Sequence, residues 1–363
     1  MNNVLAGAAM GAALTASGVH QPATILSQFD FTNFHMLQTF LTAAAGSTLL
    51  LTATQTLSLT HLAPKPPSSV GLLSTSPSYD GNILGGALLG TGMALSGACP
   101  GTVLVQLGVG GVRSGVYAFG GAVLAGLIWS LLVPRPRSRR RQQPEGINLV
   151  KYPCNGTVAT TTTTTTVTED GEEGEGTAKG KGIEKRKEMV TVHEALGVSR
   201  IMAAGVFEVV CVLAVLAASS RARIASQAKL SPVLGGLLIA AAQVVSLVLR
   251  GRLLGTSTSY EDMGRLLMGD CPRGPGNILF SGGVVAGAWA LSRVVPALAQ
   301  VNEVSISPVM AGLGGFLMVL GSRMAGGCTS GHGISGISLL STSSFLTVAT
   351  TFAAGGVVGL LLG

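Results

Sequence analysis

The chain has 363 residues, of which 47% are hydrophobic and only 11% charged, with a mean hydropathy of +0.54; soluble domains carry about 25% charged residues. That balance excludes an ordinary soluble domain and predicts an all-α, polytopic integral membrane protein. The chain has a net charge of +7, but most of its clustered charge sits in one hydrophilic stretch with no aromatic side chains among its arginines, which does not describe a nucleic-acid stacking surface.

In chain order, the opening segment from Met1 to His20, "MNNVLAGAAMGAALTASGVH", is apolar without a basic leader and reads as a half-span rather than a secretory signal. Uncharged runs then follow at Asn33 to His61, Gly81 to Val112 and Ser114 to Val133, each long enough for a ~30 Å hydrocarbon core, which needs roughly 20 residues. Residues 134–195 form a hydrophilic insert, with "RPRSRRR" near one end, "KGKGIEKRKE" near the other and a threonine run between. Its lack of apolar residues predicts disorder, and basic residues beside a span place it on the cytoplasmic side. One linking helix is expected within 196–229, over about Leu196 to Ala218. A second apolar region fills 230–363, and Met324 to Gly363 is uncharged, with room for a broken segment and a full span.

Two glycine-rich runs break around a cysteine: "GTGMALSGACPGTVLVQLG" at Cys99 and "GSRMAGGCTSGHGISGIS" at Cys328. Superposing Cys99 on Cys328 fixes one constant offset, and without a gap the same offset places Gly85-Gly86 on Gly314-Gly315, Gly92 on Gly321, Gly97 on Gly326 and Ala125-Gly126 on Ala354-Gly355. It also carries Gly7 onto Gly236 and Ser17 onto Ser246. Two pseudo-symmetric repeats, 1–133 and 230–363, are therefore expected, with broken helices at the centre. Inverted repeats are a frequent transporter plan, with the site between them near the midplane.

Irregular backbone in a membrane is tolerated where it is buried in protein or lines a polar cavity, so both breaks are expected to line one path. Pro100 falls at the first position of a following helix, Gly101 leaves the backbone open, and Thr102 and Gln106 stand one turn apart. After Cys328 come Thr329, Ser330, Gly331 and His332, small or hydrogen-bonding residues. Helices starting just past each cysteine would offer free N–H groups and a positive dipole end to an anion, and a polarizable thiol suits one that carries sulfur. His332 reads equally as a cavity donor or a packing residue. Arg323 is a candidate contact beside the second break; Arg250 and Arg252 are weaker ones, and Glu208 is expected to pair with one of them. Cys211 reads as core, Cys154 as part of the insert and Cys271 as a loop residue. No CxxC pair or metal spacing occurs, so neither a metal nor another cofactor is expected.

At "SGACPGT" (Ser96 to Thr102), "RGRLLGTSTSYE" (Arg250 to Glu261) and "AGGCTSGHGISG" (Ala325 to Gly336) the chain resembles the YeeE/YedE family of sulfur-transport membrane proteins. The resemblance covers both halves and omits the insert. It implies uptake of thiosulfate or a related sulfur anion through a helical protein narrowed at its middle, with Cys99 and Cys328 as successive contacts. Bacterial members often carry a further N-terminal cysteine, whereas "HQPATILSQF" here has none, leaving a two-cysteine path. The expected function is thus non-enzymatic transport of a small sulfur-containing anion across what is expected to be the plasma membrane, with membrane lipid around it and an intracellular sulfur-accepting protein as a conceivable partner. A channel for another small solute, a membrane sulfurtransferase and a scaffold or receptor remain as alternatives. No GxxxxGK[ST] motif is present for ATP coupling.

Overall fold

A computed structural model of the chain describes residues 1–58, 62–71, 79–133, 191–221, 230–270, 274–301 and 304–362. Cys154, Cys271, the threonine run and both basic clusters of the insert lie outside the described residues. Among those that are described, the regular structure is helical, and six helices are long and apolar enough to cross a membrane.

The first half carries α1 (Asn2–Ala16), α2 (Pro22–Phe29), α3 (His35–Thr56), α4 (Asp80–Ser96), α5 (Pro100–Val109) and α6 (Arg113–Leu132). A short α7 (Val192–Leu196) and a membrane-length α8 (Arg200–Arg221) follow. The second half carries α9 (Pro232–Arg250), α10 (Ser257–Leu267), α11 (Gly276–Val294), α12 (Pro308–Met324) and α13 (Thr342–Leu362), with a π-helical turn, Ser330–Gly336, between the last two. Residues 191–195, the end of the hydrophilic stretch, are tied to the second half: Val192 N donates to Leu340 O at 2.8 Å.

Glycines decide where these helices touch, because removing Cβ lets two backbones meet. A Cβ at Gly7 or Gly11 would strike the backbone of Phe280 or Val284, and one at Gly283 or Gly287 that of Val4 or Ala8, so α1 and α11 run in parallel contact. In the same way, Gly46 faces Ala240 and Gly236 faces Thr39 and Ala43, which sets α9 parallel to α3. Helices α4 and α12 meet through Gly85 against Gly321 and Gly92 against Gly314, an antiparallel pair. Helices α1 and α9 are also antiparallel: Ser17, just past the end of α1, lies against Gly235 near the start of α9. Asn3, at the other end of α1, accepts a hydrogen bond from Arg250 Nε at 3.0 Å. Further contacts are exchanged between the halves, α4 with α13 and α12 with α6, α5 with α11 and the π-helical turn with α3.

Helix α8 sits outside this bundle against α3, and only 17% of its apolar window is buried. Gln38 Nε2 donates to Ser219 Oγ at 3.0 Å, and Phe207 meets Phe345 edge-on with ring centroids 5.8 Å apart. Cys211 is buried, as expected. The pairing expected for Glu208 is not formed: Arg250 uses Asn3 and stacks 3.9 Å over the Phe280 ring, and the buried Glu208 Oε1 has no hydrogen-bond partner.

Candidate functional site

Helix α4 ends where Gly97 turns left-handed, with φ of +60°; Gly326, which follows the end of α12, has φ of +80°. Both conformations favour glycine, and each turns the chain toward the cysteine two residues on. Cys99 then sits extended before α5 and caps it. Its Sγ accepts from Thr102 N at 3.4 Å, while Cys99 N donates to Thr102 Oγ1 at 2.7 Å, a reciprocal capping pair. One of the N–H groups expected to be free for an anion is therefore already held by the thiol. Gln106, one turn on, ties this start in place by donating to Gly97 O at 3.2 Å and to His20 O at 2.9 Å.

The second break differs from the expected helix start. Its glycines, Gly331, Gly333 and Gly336, weaken an ordinary helix, and the chain widens into a π-helical turn, a rare form concentrated at functional sites. The Phe40 ring packs where a Cβ on Gly333 would be, and Ser344 where one on Gly336 would be. Cys328 is 0% exposed; its Sγ lies 3.2 Å from Ser330 Oγ, 3.5 Å from Thr256 N and 3.6 Å from Thr256 Oγ1. His332 is fully engaged, Nδ1 with Ser344 Oγ at 2.9 Å and Nε2 with Ala325 O at 3.0 Å, so it holds the turn.

Segments far apart in sequence thus bring both thiols to one place. Thr256 joins them, since its Oγ1 also lies 3.8 Å from the Cβ position of Gly101, which is itself 3.9 Å from Cys99 Sγ. Thr329, next after Cys328, lies beside the Cys99 thiol. Four residues past Thr256, Tyr260 Oη donates to Pro100 O at 2.6 Å. The start of α10 therefore grips both breaks.

The π-helical turn separates two cavities. On one face, Gly331 and Ser335 border a cavity of about 260 Å³ that also meets Lys65, Arg250, Arg252 and Thr258. On the other, Ser330 and Ile334 border a much smaller one of about 20 Å³, lined also by Cys99, Gly101, Thr102, Met10 and Thr39. A Cβ on Gly331 would lie 3.2 Å from Lys65 Nζ and 3.7 Å from Cys328 Sγ, so this glycine sits between the lysine of the basic chamber and the second thiol. Lys65 comes from an extended strap between α3 and α4. Its carbonyl accepts from Ser341 and Ser343 at 2.7 and 2.9 Å, and Ser68 Oγ fastens the strap to Met324 O at 2.6 Å. Desolvation in this recess lowers the Lys65 pKa to about 8, which leaves the ammonium charged at neutral pH.

Arg323 is used elsewhere. Its Nη2 pairs with Glu261 Oε2, whose other oxygen takes Arg265 Nε at 3.1 Å, and its Nη1 donates to Thr258 Oγ1 at 3.5 Å. It stands behind the chamber wall. Sequence reasoning missed Lys65, Thr256, Tyr260, Met10 and Thr39. Thr256 and Tyr260 lie inside the quoted "RGRLLGTSTSYE" run; the other three carry no local signal.

Comparison with known proteins places the chain in a family. A model of the family described as "Sulphur transport" matches residues 17–358, nearly the whole chain. The chain belongs to the sulphur transport family. Two relatives of this family member, each described as "Probable transporter", come from Xylella fastidiosa strains 9a5c and Temecula1 / ATCC 700964. Each is 38% identical over 118 residues, which is 32% of this chain and 83% of the relative. This family member is thus a multi-pass membrane protein of a transporter family, and nothing in these likenesses indicates an enzyme.

Proposed function

We propose that the protein carries thiosulfate, or a small anion of the same kind, along a path from the basic chamber past Cys328 and then Cys99. The observation that carries this reading is the meeting of two buried thiols, from breaks in opposite halves of the chain, at the turn that divides the two cavities. Lys65, Arg250 and Arg252 attract the anion to the chamber. Gly331 exposes Cys328, Thr256 bridges onward to Gly101, and Cys99 receives the anion. Thr329, Ser330, Pro100, Thr102 and Gln106 shape the narrow part, with His332 and Arg323 supporting it from behind. The two cavities are divided by the turn, which favours a transporter that rearranges over a continuously open channel.

The same reading makes 1–133 and 230–363 inverted repeats, each interrupted at its cysteine. Corresponding helices run antiparallel in the pairs α1 with α9 and α4 with α12, and contacts are exchanged between halves, as a two-fold axis in the membrane plane requires. The matched 118 residues make up 83% of each relative but 32% of this chain, so a relative has about the length of one half. We place the insert 134–195 on the cytoplasmic side of a plasma membrane, where a sulfur-accepting protein could take up the delivered anion.

The test is thiosulfate uptake in cells that lack their own uptake system, comparing the intact chain with Cys99→Ser and Cys328→Ser at matched membrane expression. Loss of most uptake in both variants is expected. Full uptake in both would remove the thiols from the path.

A further inference from the structure

The small cavity behind Cys99 has a chemistry that anion transport alone does not require. Beside the thiol, most of its wall is sulfur and hydrocarbon, with Met10, Met36, Phe40 and Ile239 among the lining residues. Of the hydroxyls that line it, Ser330 Oγ is engaged with Cys328 Sγ at 3.2 Å and Thr102 Oγ1 accepts from Cys99 N at 2.7 Å. Thr39 is different. It is 0% exposed and its Oγ1 has no hydrogen-bond partner. A helical threonine ordinarily bonds the carbonyl four residues back, as Thr42 and Thr48 do on this same helix at 2.8 and 2.9 Å. A buried hydroxyl left without a partner is costly, and its place on the wall of a cavity beside a thiol points to a ligand atom that completes it.

At about 20 Å³, the cavity has room for one small group, since a single water needs roughly 10–15 Å³ of such space. An oxyanion oxygen is strongly hydrated, and burying it among methionine and phenylalanine costs free energy that one hydroxyl does not return. A terminal sulfur is larger, softer and more weakly hydrated, and thioether and thiol neighbours are polarizable.

Building on the proposed transport of a sulfur anion, we infer that this cavity is a subsite for the anion's terminal sulfur. Met10, Met36 and the Cys99 thiol surround that atom, and Thr39 donates a hydrogen bond to it. The oxygen-bearing end stays outside, toward Thr256. Anions whose terminal atoms are all oxygen gain nothing here, so the subsite separates thiosulfate from sulfate by the softness of one atom rather than by charge.

Two monovalent anions that differ by one atom test this: methanethiosulfonate, which ends in sulfur, and methanesulfonate, which ends in oxygen. Binding of each to the purified full-length chain in detergent is measured by calorimetry. Methanethiosulfonate is expected to bind roughly tenfold more tightly or better, Thr39→Val to weaken it by roughly tenfold, the value of one hydrogen bond, and Thr39→Ser to restore it. Met10→Leu with Met36→Leu is expected to narrow the gap between the two anions. Equal affinities, no binding of methanethiosulfonate, or an unchanged preference in a folded Thr39→Val would overturn the subsite. If Thr39→Val does not fold, the comparison of the two anions on the intact chain decides. Thiosulfate uptake measured in parallel keeps the two ideas apart. Sulfur preference without uptake leaves the subsite standing and removes transport; uptake without preference removes the subsite alone.

Discussion

Gly101 lines the small cavity beside the Cys99 thiol. A Cβ there would lie 3.5 Å from Met10 Cε, 3.8 Å from Thr256 Oγ1 and 3.9 Å from Cys99 Sγ, ordinary contact distances that a folded protein accepts. Alanine is also the better helix former by roughly 0.5–1 kcal/mol. Gly101→Ala is therefore expected to express and melt like the intact chain while filling slack in the passage. Squeezing a substrate past an added methyl costs about 1–3 kcal/mol, so uptake is expected to slow by roughly tenfold or more; normal uptake would mean that the substrate does not pass this glycine. Glu261 makes the opposite case. It is 4% exposed and answers two guanidiniums, Arg265 and Arg323. Glu261→Gln takes this carboxylate from both and leaves Arg265 with the exposed Asp270 at 3.4 Å; loss of a buried pair costs about 3–5 kcal/mol, expected as a clear drop in thermal midpoint in detergent. An unchanged midpoint would show that the arginines find other partners. The sequence marked Arg323 as a charge needing explanation, but its partner Glu261 belongs to α10, two helices earlier in the chain, beyond any local pattern.

At the scale of elements, the two breaks were legible to different depths. The first was readable because its signals are local: a glycine that turns left-handed, a cysteine, and a proline suited to the first helical position. The second was readable as a break but not as a π-helical turn, because its width depends on Phe40 and Ser344 occupying the space beside Gly333 and Gly336. The grip of α10 on both breaks was likewise hidden, since Thr256 meets Cys328 and Tyr260 meets Pro100 across long stretches of intervening chain. His332 pins the turn to the start of α13 through Ser344 and to the end of α12 through Ala325 O. His332→Ala removes both pins and leaves a void, so the wall between the chambers is expected to loosen. Hydrogen exchange read on peptides spanning 326–341 should rise by roughly tenfold or more, the effect of losing one to two hydrogen bonds locally, with little change over α6. Unchanged protection in 326–341 would show that the glycine contacts alone hold the turn.

At the scale of the molecule, the constant offset between the halves was legible, but the direction of the second half was not, because residue matches carry no sign for the membrane normal. Contacts between α1 and α9 bear on that sign. Asn3 at the start of α1 meets Arg250 at the end of α9, and Ser17 past the end of α1 meets Gly235 near the start of α9. The two first helices are therefore head to tail, and the start of α1 and the start of α9 lie at opposite ends of the bundle. Asn2 and Ser231 are both exposed, so each can carry a reporter. In a chain whose native cysteines are replaced, Asn2→Cys and Ser231→Cys are expected to react with a membrane-impermeant thiol reagent from opposite sides of a sealed vesicle. Labelling from the same side would make the halves parallel repeats and would place the two thiols on paths that no in-plane two-fold axis relates. Labelling from opposite sides makes the two breaks enter the bundle from opposite surfaces, which is the geometry in which Cys328 meets the anion on one side of the dividing turn and Cys99 on the other.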